Sequence, residues 1–283
     1  IRTRSLCVLL ACLLCITGAG AADYVWKNVK IGGGGFIPAV VFSRVEPGLA
    51  YLRSDIGGAY RWDDKAKSWI PLEDNIANGN YFGVESIAPD PVDANVVYAA
   101  VGAYRTDAAA IMRSADRGAH WDITPVSFRM GGNDAGRGLG ERLAVDPNDN
   151  SILYFGSRYD GLQRSTDKGA HWSKVSGFPV AGRPAPTGWG PGYPGIAFVI
   201  FDPASGSKGM QSRTLFAGSA EPGAPHLFRS DDGGTSWKAI AGEPRADLLP
   251  VQAQLDSHGV LYITYSNGVG PNGVTGGAVY KLD

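Results

Sequence analysis

The hydrophobic positions of the chain fall in short runs that alternate with turn residues. An Asp-Pro pair precedes three of these runs, at residues 90–91, 146–147 and 202–203, and the runs are rich in β-branched and aromatic residues. A turn followed by such a run is typical of a β-strand. No segment after residue 22 repeats its apolar positions at the helical period, so the pattern predicts an all-β protein.

A longer motif repeats beside these runs. Three segments fit the pattern R-S-x-D-x-G-x-[HS]-W without gaps, at residues 113–121, 164–172 and 229–237, and residues 53–62 resemble a looser copy. Each unit is predicted to hold about four short strands, which is typical of a β-propeller blade. A partial further unit is predicted at residues 253–282. The sequence therefore predicts about five four-stranded antiparallel blades.

The repeated motif has a physical purpose in a tight turn. Its Ser hydroxyl and Asp carboxylate can accept backbone N–H groups, its Gly can adopt a positive φ, and its Trp can pack between blades. Asp116, Asp167 and Asp232 are therefore predicted to stabilise turns. The pattern is the Asp-box, which indicates an architecture and not an activity.

The looser copy departs from the box. Ile56 is at the position of the box Asp, Asp55 precedes it, and the Trp is displaced by one residue to Trp62. A repeat that gives up its turn-forming residue is a place where function is expected to override structure, so Asp55 is a candidate acid. The alternative is a decayed box with an ordinary surface Asp. Asp231 is at the same repeat position, so the position alone does not distinguish Asp55.

Composition narrows the function classes. The 26 Lys and Arg against 27 Asp and Glu give a formal net charge of −1, which argues against nucleic acid as a partner. Hydrophobic residues make up 44% of the chain, enough to form a sizeable core. The 40 glycines and 18 prolines are scattered between the apolar runs, which favours turns over disorder.

Residues 1–22 are predicted to be a secretory signal peptide. Arg2 and Arg4 precede an apolar run at residues 6–16, and small residues at 18–22 supply an A-x-A cleavage site. The alternative is a membrane anchor, for which the run is short. All 3 cysteines lie in this segment. The mature chain is therefore expected to be secreted and to lack disulfides, thiolate catalysis and Cys-type zinc sites, and we expect neither metal nor other cofactor.

The segment YLRSDIGGAYRW at residues 51–62 resembles the N-terminal catalytic motif of glycoside hydrolase family 74, which comprises xyloglucan-specific endoglucanases and oligoxyloglucan hydrolases. Residues 83–88, 130–148 and 264–268 are similar to further segments of that family, so the resemblance covers residues 24–283. It implies two seven-bladed propellers that face each other across a cleft. It also implies an inverting mechanism with one aspartate from each propeller, in which Asp55 would be the general base.

The chain departs from that family in its length. The resemblance identifies residues 23–283 as part of an N-terminal seven-bladed propeller, with about five blades present and the C-terminal propeller, which would supply the general acid, absent. A base without its acid cannot complete an inverting hydrolysis. We therefore expect these residues alone to hydrolyse little or nothing.

Other side chains are candidates to contact sugar. A glucan cleft uses aromatic platforms and polar groups that bond hydroxyls. The aromatic candidates, which lie near the motifs or in Gly-rich loops, are Tyr60, Trp62, Tyr81, Phe82, Trp189, Tyr193 and Tyr265. The glycine-dense segment 131–138 adds Asn133 and Arg137, although it can equally be a purely structural loop. Glu85 could support Asp55 or face solvent.

The leading prediction is a secreted enzyme that cleaves the β-1,4-glucan backbone of xyloglucan, with neither nucleic acid nor membrane as a partner. A sialidase is one alternative, since sialidases carry Asp-boxes. It requires three converging arginines, whereas Arg53, Arg113, Arg164 and Arg229 share one repeat position and are expected to be spread around the ring. The other alternative is a sortilin-like propeller that binds carbohydrate or protein without catalysis.

Overall fold

The computed structural model describes residues 28–185, 193–223, 225–243 and 247–283. Within these ranges the chain forms nineteen strands in five antiparallel sheets, together with two short 3-10 turns, Gly79–Phe82 and Pro203–Ser205. No helix there is long and apolar enough to cross a membrane. The predicted all-β propeller with about five blades is confirmed. The predicted signal peptide, residues 1–22, lies outside the described residues.

Each sheet is one blade, and its strands pair in chain order. Blades 1 and 2 consist of β1 (Ala39–Phe42), β2 (Ala50–Arg53), β3 (Ala59–Asp63), β4 (Ser68–Pro71), then β5 (Val84–Pro89), β6 (Val97–Val101), β7 (Ala109–Ser114) and β8 (Asp122–Val126). Blades 3 to 5 consist of β9 (Leu143–Val145), β10 (Leu153–Gly156), β11 (Leu162–Ser165), β12 (Ser173–Lys174), then β13 (Ile196–Phe201), β14 (Leu215–Ser219), β15 (Leu227–Ser230), β16 (Lys238–Ala239), then β17 (Leu249–Leu255), β18 (Leu261–Ser266) and β19 (Gly277–Leu282). Among the described residues, blade 5 thus has three strands where four were predicted.

The core lies between neighbouring blades. Strand β6 is buried at every position, because alternate residues face opposite interfaces. Val97 packs in a cluster with Tyr51 of blade 1, whereas Tyr98 packs in a cluster with Phe155 of blade 3. A strand buried on both faces needs a continuous apolar run, which explains the sequence pattern. Each large side chain buried in this way contributes about 1.5–3 kcal/mol.

The antiparallel order places successive turns at alternate ends of a blade. The turns between third and fourth strands lie at one end, which we call the box end. The turns between second and third strands lie at the other, which we call the loop end, together with the connections to the next blade. Backbone hydrogen bonds join neighbouring blades there: Val84 N–H donates to Ser54 O (3.0 Å), and Gly132 N–H donates to Gly102 O (2.8 Å).

The three regular Asp-boxes form turns at the box end. In blade 2, Ser114 Oγ accepts from Gly118 N–H (2.7 Å) and donates to Asp116 Oδ1 (2.8 Å), which also accepts from His120 N–H (2.9 Å). The turns of blades 3 and 4 repeat these bonds around Asp167 and Asp232. All three carboxylates therefore stabilise their own turns, as predicted.

The predicted looser box at residues 53–62 was aligned incorrectly. Residues 54–58 form the turn between β2 and β3, at the loop end, whereas the regular boxes join third and fourth strands. The segment of blade 1 that occupies the box position is 61–69, RWDDKAKSW, which aligns without gaps with RSDDGGTSW at 229–237. The error arose because both kinds of turn begin with Arg-Ser and contain glycine.

This correction changes which residues are equivalent. Trp62 replaces the box serine in the 61–69 turn, and Asp63 supports that turn by accepting from Lys65 N–H (2.9 Å) and Ala66 N–H (3.0 Å). Asp55 therefore does not stand beside a missing box aspartate. Its equivalent in blade 3 is Arg158, in the matching turn 157–161. Arg53 is likewise on a second strand, whereas Arg113, Arg164 and Arg229 are on third strands.

Candidate active site

Asp55 lies in a five-residue turn, 54–58, that is stabilised by hydrogen bonds of the residues beside Asp55. Ser54 N–H donates to Gly58 O (2.9 Å), and Ser54 Oγ accepts from Gly57 N–H (3.0 Å). The turn thus has its own stabilising hydroxyl and does not depend on the Asp55 carboxylate. That carboxylate extends toward two other segments: Oδ1 accepts from Phe36 N–H (2.8 Å), and Oδ2 forms an ion pair with Arg137 Nε (3.0 Å).

A glycine run covers the Asp55 carboxylate. A Cβ atom on Gly35 would lie 2.6 Å from Asp55 Oδ1, and Gly35 has φ +99°, a region that other residues rarely adopt. A Cβ atom on Gly57 would lie 2.1 Å from Gly34 O. As a result, Asp55 is only 5% exposed. The four consecutive glycines at 32–35 were not among the predicted site residues, although such a run is a recognisable sign of close backbone approach.

Arg137 brings the 131–142 connection to Asp55. Its Nη1 donates to Asn133 O (3.2 Å) and Asp134 O (3.3 Å), and its guanidinium lies 5.8 Å from the centre of the Phe36 ring. Arg53 fixes the same connection, since its Nη1 donates to Arg137 O (3.0 Å). The Asp55 carboxylate is therefore surrounded by blade 1, the glycine run and a connection between blades 2 and 3.

Buried ion pairs support this end of the propeller. Glu85 is 1% exposed and accepts from Gly131 N–H (2.7 Å), Arg158 Nε (2.9 Å) and, as an ion pair, Arg142 Nε (2.7 Å). Burial alone would raise the pKa of Glu85, but the guanidiniums of Arg158 and Arg142 hold it at about 2. Glu85 is therefore buried, and the predicted alternative in which it faces solvent is wrong. It anchors blades 2 and 3 to each other.

Three of the candidate sugar-binding aromatics lie near the Asp55 turn. Tyr60 is 6% exposed, and its hydroxyl contacts Gly33 of the glycine run. Phe82 O accepts from Gly58 N–H (2.8 Å) at the end of the turn. Tyr81 precedes it and is buried in the core between blades 1 and 2. Asn133 donates from Nδ2 to Tyr104 Oη (3.1 Å), and its backbone O accepts from Arg137, which pairs with Asp55.

The remaining candidates lie elsewhere. Trp62 is at the opposite end of β3 from the Asp55 turn and packs edge-to-face on Trp69, at 5.4 Å between ring centres. Tyr265, on β18, is 3% exposed and packs on Tyr280. Tyr193 packs against Tyr159 and lies under the Arg183 guanidinium. Trp189 lies outside the described residues. For all of them, sugar contact stays a prediction.

The chemistry available in this arrangement is that of a carboxylate. Within the described ranges, no three His, Cys, Asp or Glu side chains converge as metal ligands. A carboxylate that its own turn does not require, held by an arginine and a backbone amide, can accept a proton if the covering segment leaves room for water.

No protein-family model matches the chain. Curated relatives do match it. A xyloglucanase of a Paenibacillus species is 48% identical over 94% of this chain and 27% of its own length, and a xyloglucanase of Acetivibrio thermocellus is 48% identical over 93% and 32%. Among solved structures, the family 74 xyloglucanase of Xanthomonas campestris superposes with a TM-score of 0.82 at 42% identity, covering 92% of this chain and 38% of that one.

The chain spans about a third of the length of these relatives, so the comparison concerns only that portion. Within it the sequence and structural similarities agree. Over more than nine-tenths of its residues, this chain is similar in sequence to xyloglucanases and in structure to a xyloglucanase of glycoside hydrolase family 74.

Proposed function

We propose that this chain is the portion of a secreted xyloglucan-cleaving glycoside hydrolase that carries the general base, Asp55. The observation that carries the proposal is the 48% identity to xyloglucanases over 93–94% of the chain. The geometry supports it, because Ser54 and not Asp55 stabilises that turn. The cleaved bond would belong to the β-1,4-glucan backbone.

In this mechanism Asp55 removes a proton from a water molecule as the water attacks the anomeric carbon. Inversion requires a second carboxyl group, about 6.5–9.5 Å from the first, to protonate the leaving oxygen. That acid is expected from a second propeller outside this chain. Arg137 would keep Asp55 oriented, and the glycine run would limit the access of bulk water.

The test is Asp55→Asn in the whole protein that carries this chain. We expect kcat on xyloglucan to fall by about 10²–10⁴-fold, the usual contribution of a general base, with xyloglucan binding retained. The matched control is Asp231→Asn, since Asp231 is an exposed carboxylate paired only with Arg229 (2.8 Å) and Thr214 among the described residues. Unchanged turnover in Asp55→Asn would exclude this role.

A non-catalytic carbohydrate-binding propeller is the second candidate. The observation that favours it is the 5% exposure of Asp55, whose two oxygens both have partners inside the protein. In that case the wild-type protein would bind xyloglucan without releasing reducing ends, and Asp55→Asn would lower stability and change nothing else.

A further inference from the structure

Glu73 is a buried carboxyl group that the proposed mechanism does not use. It follows β4, in the connection that leads from blade 1 to the 3-10 turn Gly79–Phe82. It is 2% exposed. Among the described residues, neither of its oxygens makes a hydrogen bond of good geometry, although the Ala59 N–H lies near. A buried carboxylate without a partner is costly, and the neutral acid is much less so.

This carboxyl lies against the turn that carries Asp55. A Cβ atom on Gly58 would lie 2.9 Å from Glu73 Oε2 and 3.5 Å from the Phe82 ring. Gly58 is the last residue of the turn, has φ +81°, and is bonded through its N–H to Phe82 O. Glu73 and Phe82 together therefore form the surface on which the end of the turn rests.

The groups around Glu73 provide little to stabilise a negative charge. Tyr60, from β3, and Asp74, next in the chain, lie near Glu73, and neither carries a positive charge. Among the described residues, no charged group contributes to the pKa of Glu73. Burial raises the pKa of Glu73 to about 8, even though the nearby Ala59 N–H favours the ionised form. The side chain is thus neutral over most of the range in which proteins work.

We propose that Glu73 is a positioning residue that supports the Asp55 turn as a neutral acid, and that the loss of its proton in mildly alkaline solution loosens this turn. The effect on stability is independent of what Asp55 does. The effect on turnover rests on the proposed function.

The direction of the pH effect follows from linkage. The pKa is higher in the folded state than in the unfolded chain, where a glutamate titrates near ~4.3. The folded protein therefore holds a proton that the unfolded chain has released. Stability from this group is complete below about pH 4, decreases as the pH rises toward about 8, and is then constant.

The test compares thermal unfolding of wild type, Glu73→Gln and Asp74→Asn between pH 5 and pH 9. Gln mimics the neutral acid, so we expect the Tm of Glu73→Gln to exceed that of wild type by a margin that grows with pH. The margin should reach at least about 5 °C at pH 8 and then level off. Asp74→Asn, an exposed neighbour, should follow wild type. Parallel curves for Glu73→Gln and wild type would overturn the proposal.

A second measurement covers the case in which Glu73→Gln does not fold. Infrared spectra of wild type should show the C=O stretch of a protonated carboxyl at pH 6.5 that disappears above about pH 8, and its absence would refute the proposal. In the whole protein, Glu73→Gln should also retain more of its kcat at pH 9 than wild type does. If neither protein hydrolyses xyloglucan at any pH, the proposed function fails and the Tm result still decides the role of Glu73.

Discussion

Two turns of this propeller share a hydrogen-bond pattern and have oppositely charged second residues. The Ser-Asp-Ile-Gly-Gly turn at 54–58 in blade 1 and the Ser-Arg-Tyr-Asp-Gly turn at 157–161 in blade 3 each join a second strand to a third strand. In both, the N–H of the first residue donates to the O of the fifth, at 2.9 Å and 3.0 Å, and the serine Oγ accepts amides within the turn. The second residue is Asp55 in one and Arg158 in the other.

The two second residues differ in what surrounds them. Arg158 is 1% exposed and is paired with Glu85, which Arg142 also contacts, so it is locked inside the protein. Asp55 is paired with Arg137, whose side chain is 20% exposed, and it is covered by a segment of glycines. The hydrogen bonds of the turn are therefore compatible with either an acidic or a basic residue at its second position. The loops packed on it decide whether its second residue anchors the fold or is available for chemistry.

The largest expected effect is the loss of unfolding free energy when Glu85, which holds the blade 3 turn, is replaced. Glu85→Gln leaves two buried guanidiniums without their carboxylate, and breaking a buried pair in this way costs about 3–5 kcal/mol of unfolding free energy. Denaturant unfolding at pH 7 measures it. Because the folded pKa of Glu85 is about 2, the advantage of wild type should persist at neutral pH and shrink as the pH falls from about 4 toward 2. A loss below 1 kcal/mol would show that the blade 3 turn is not locked.

The next largest loss of stability is expected from a substitution in the glycine run that covers Asp55. Gly35→Ala places a methyl group 2.3 Å from Ser54 Oγ and 2.6 Å from Asp55 Oδ1, at φ +99°. The segment must therefore move, at a cost of about 1–3 kcal/mol. Gly32→Ala is the matched control, because it also has positive φ but its Cβ would meet nothing within 4 Å. Calorimetry of both variants separates backbone strain, which they share, from contact with Asp55. Equal losses of stability in the two variants would mean that the glycine run does not contact the Asp55 carboxylate closely.

A smaller effect is expected at Arg137, on kinetics more than on stability. Arg137→Gln removes the ion pair to Asp55, and we expect kcat of the whole protein on xyloglucan to fall by up to about 100-fold, the scale of a catalytic group misplaced by about 1 Å. KM should change little, and Arg137→Lys should restore part of the loss. A large rise in KM with kcat unchanged would instead support the earlier prediction that Arg137 contacts sugar.

The smallest effect is expected at an Asp-box. The backbone N–H and side chain of His171 and the Ser165 hydroxyl hold the pKa of Asp167 at about 2. Asp167→Asn should lower the Tm slightly at pH 7, because the carboxylate is solvent-screened. Since the folded pKa is depressed, this small difference should be present above about pH 4 and disappear as the pH falls toward 2. A difference that does not change with pH would mean that the box charge does not support the turn.

Much of this fold can be predicted from sequence because its rules are local. A run such as VYAAV at 97–101 is apolar on both faces, and the boxes carry the serine, aspartate and glycine that their turns need. The same local similarity produced the main error. Arg53-Ser54 and Arg229-Ser230 are alike as dipeptides, but they lie at opposite ends of their blades, and strand order rather than local sequence reveals this.

The sequence by itself determined the blades and the box turns, since each depends on neighbours within a few residues. It singled out Asp55 through the family resemblance of residues 51–62, because the box comparison that also pointed to Asp55 was misaligned. Only the tertiary structure decided what meets Asp55. Phe36, Arg137 and the glycine run come from 19 to more than 80 residues away, and they converge because the turns of several blades meet at one end of the propeller. The burial of Glu73 beneath that turn has the same origin, because desolvation depends on what the folded chain packs around a group and not on the group itself.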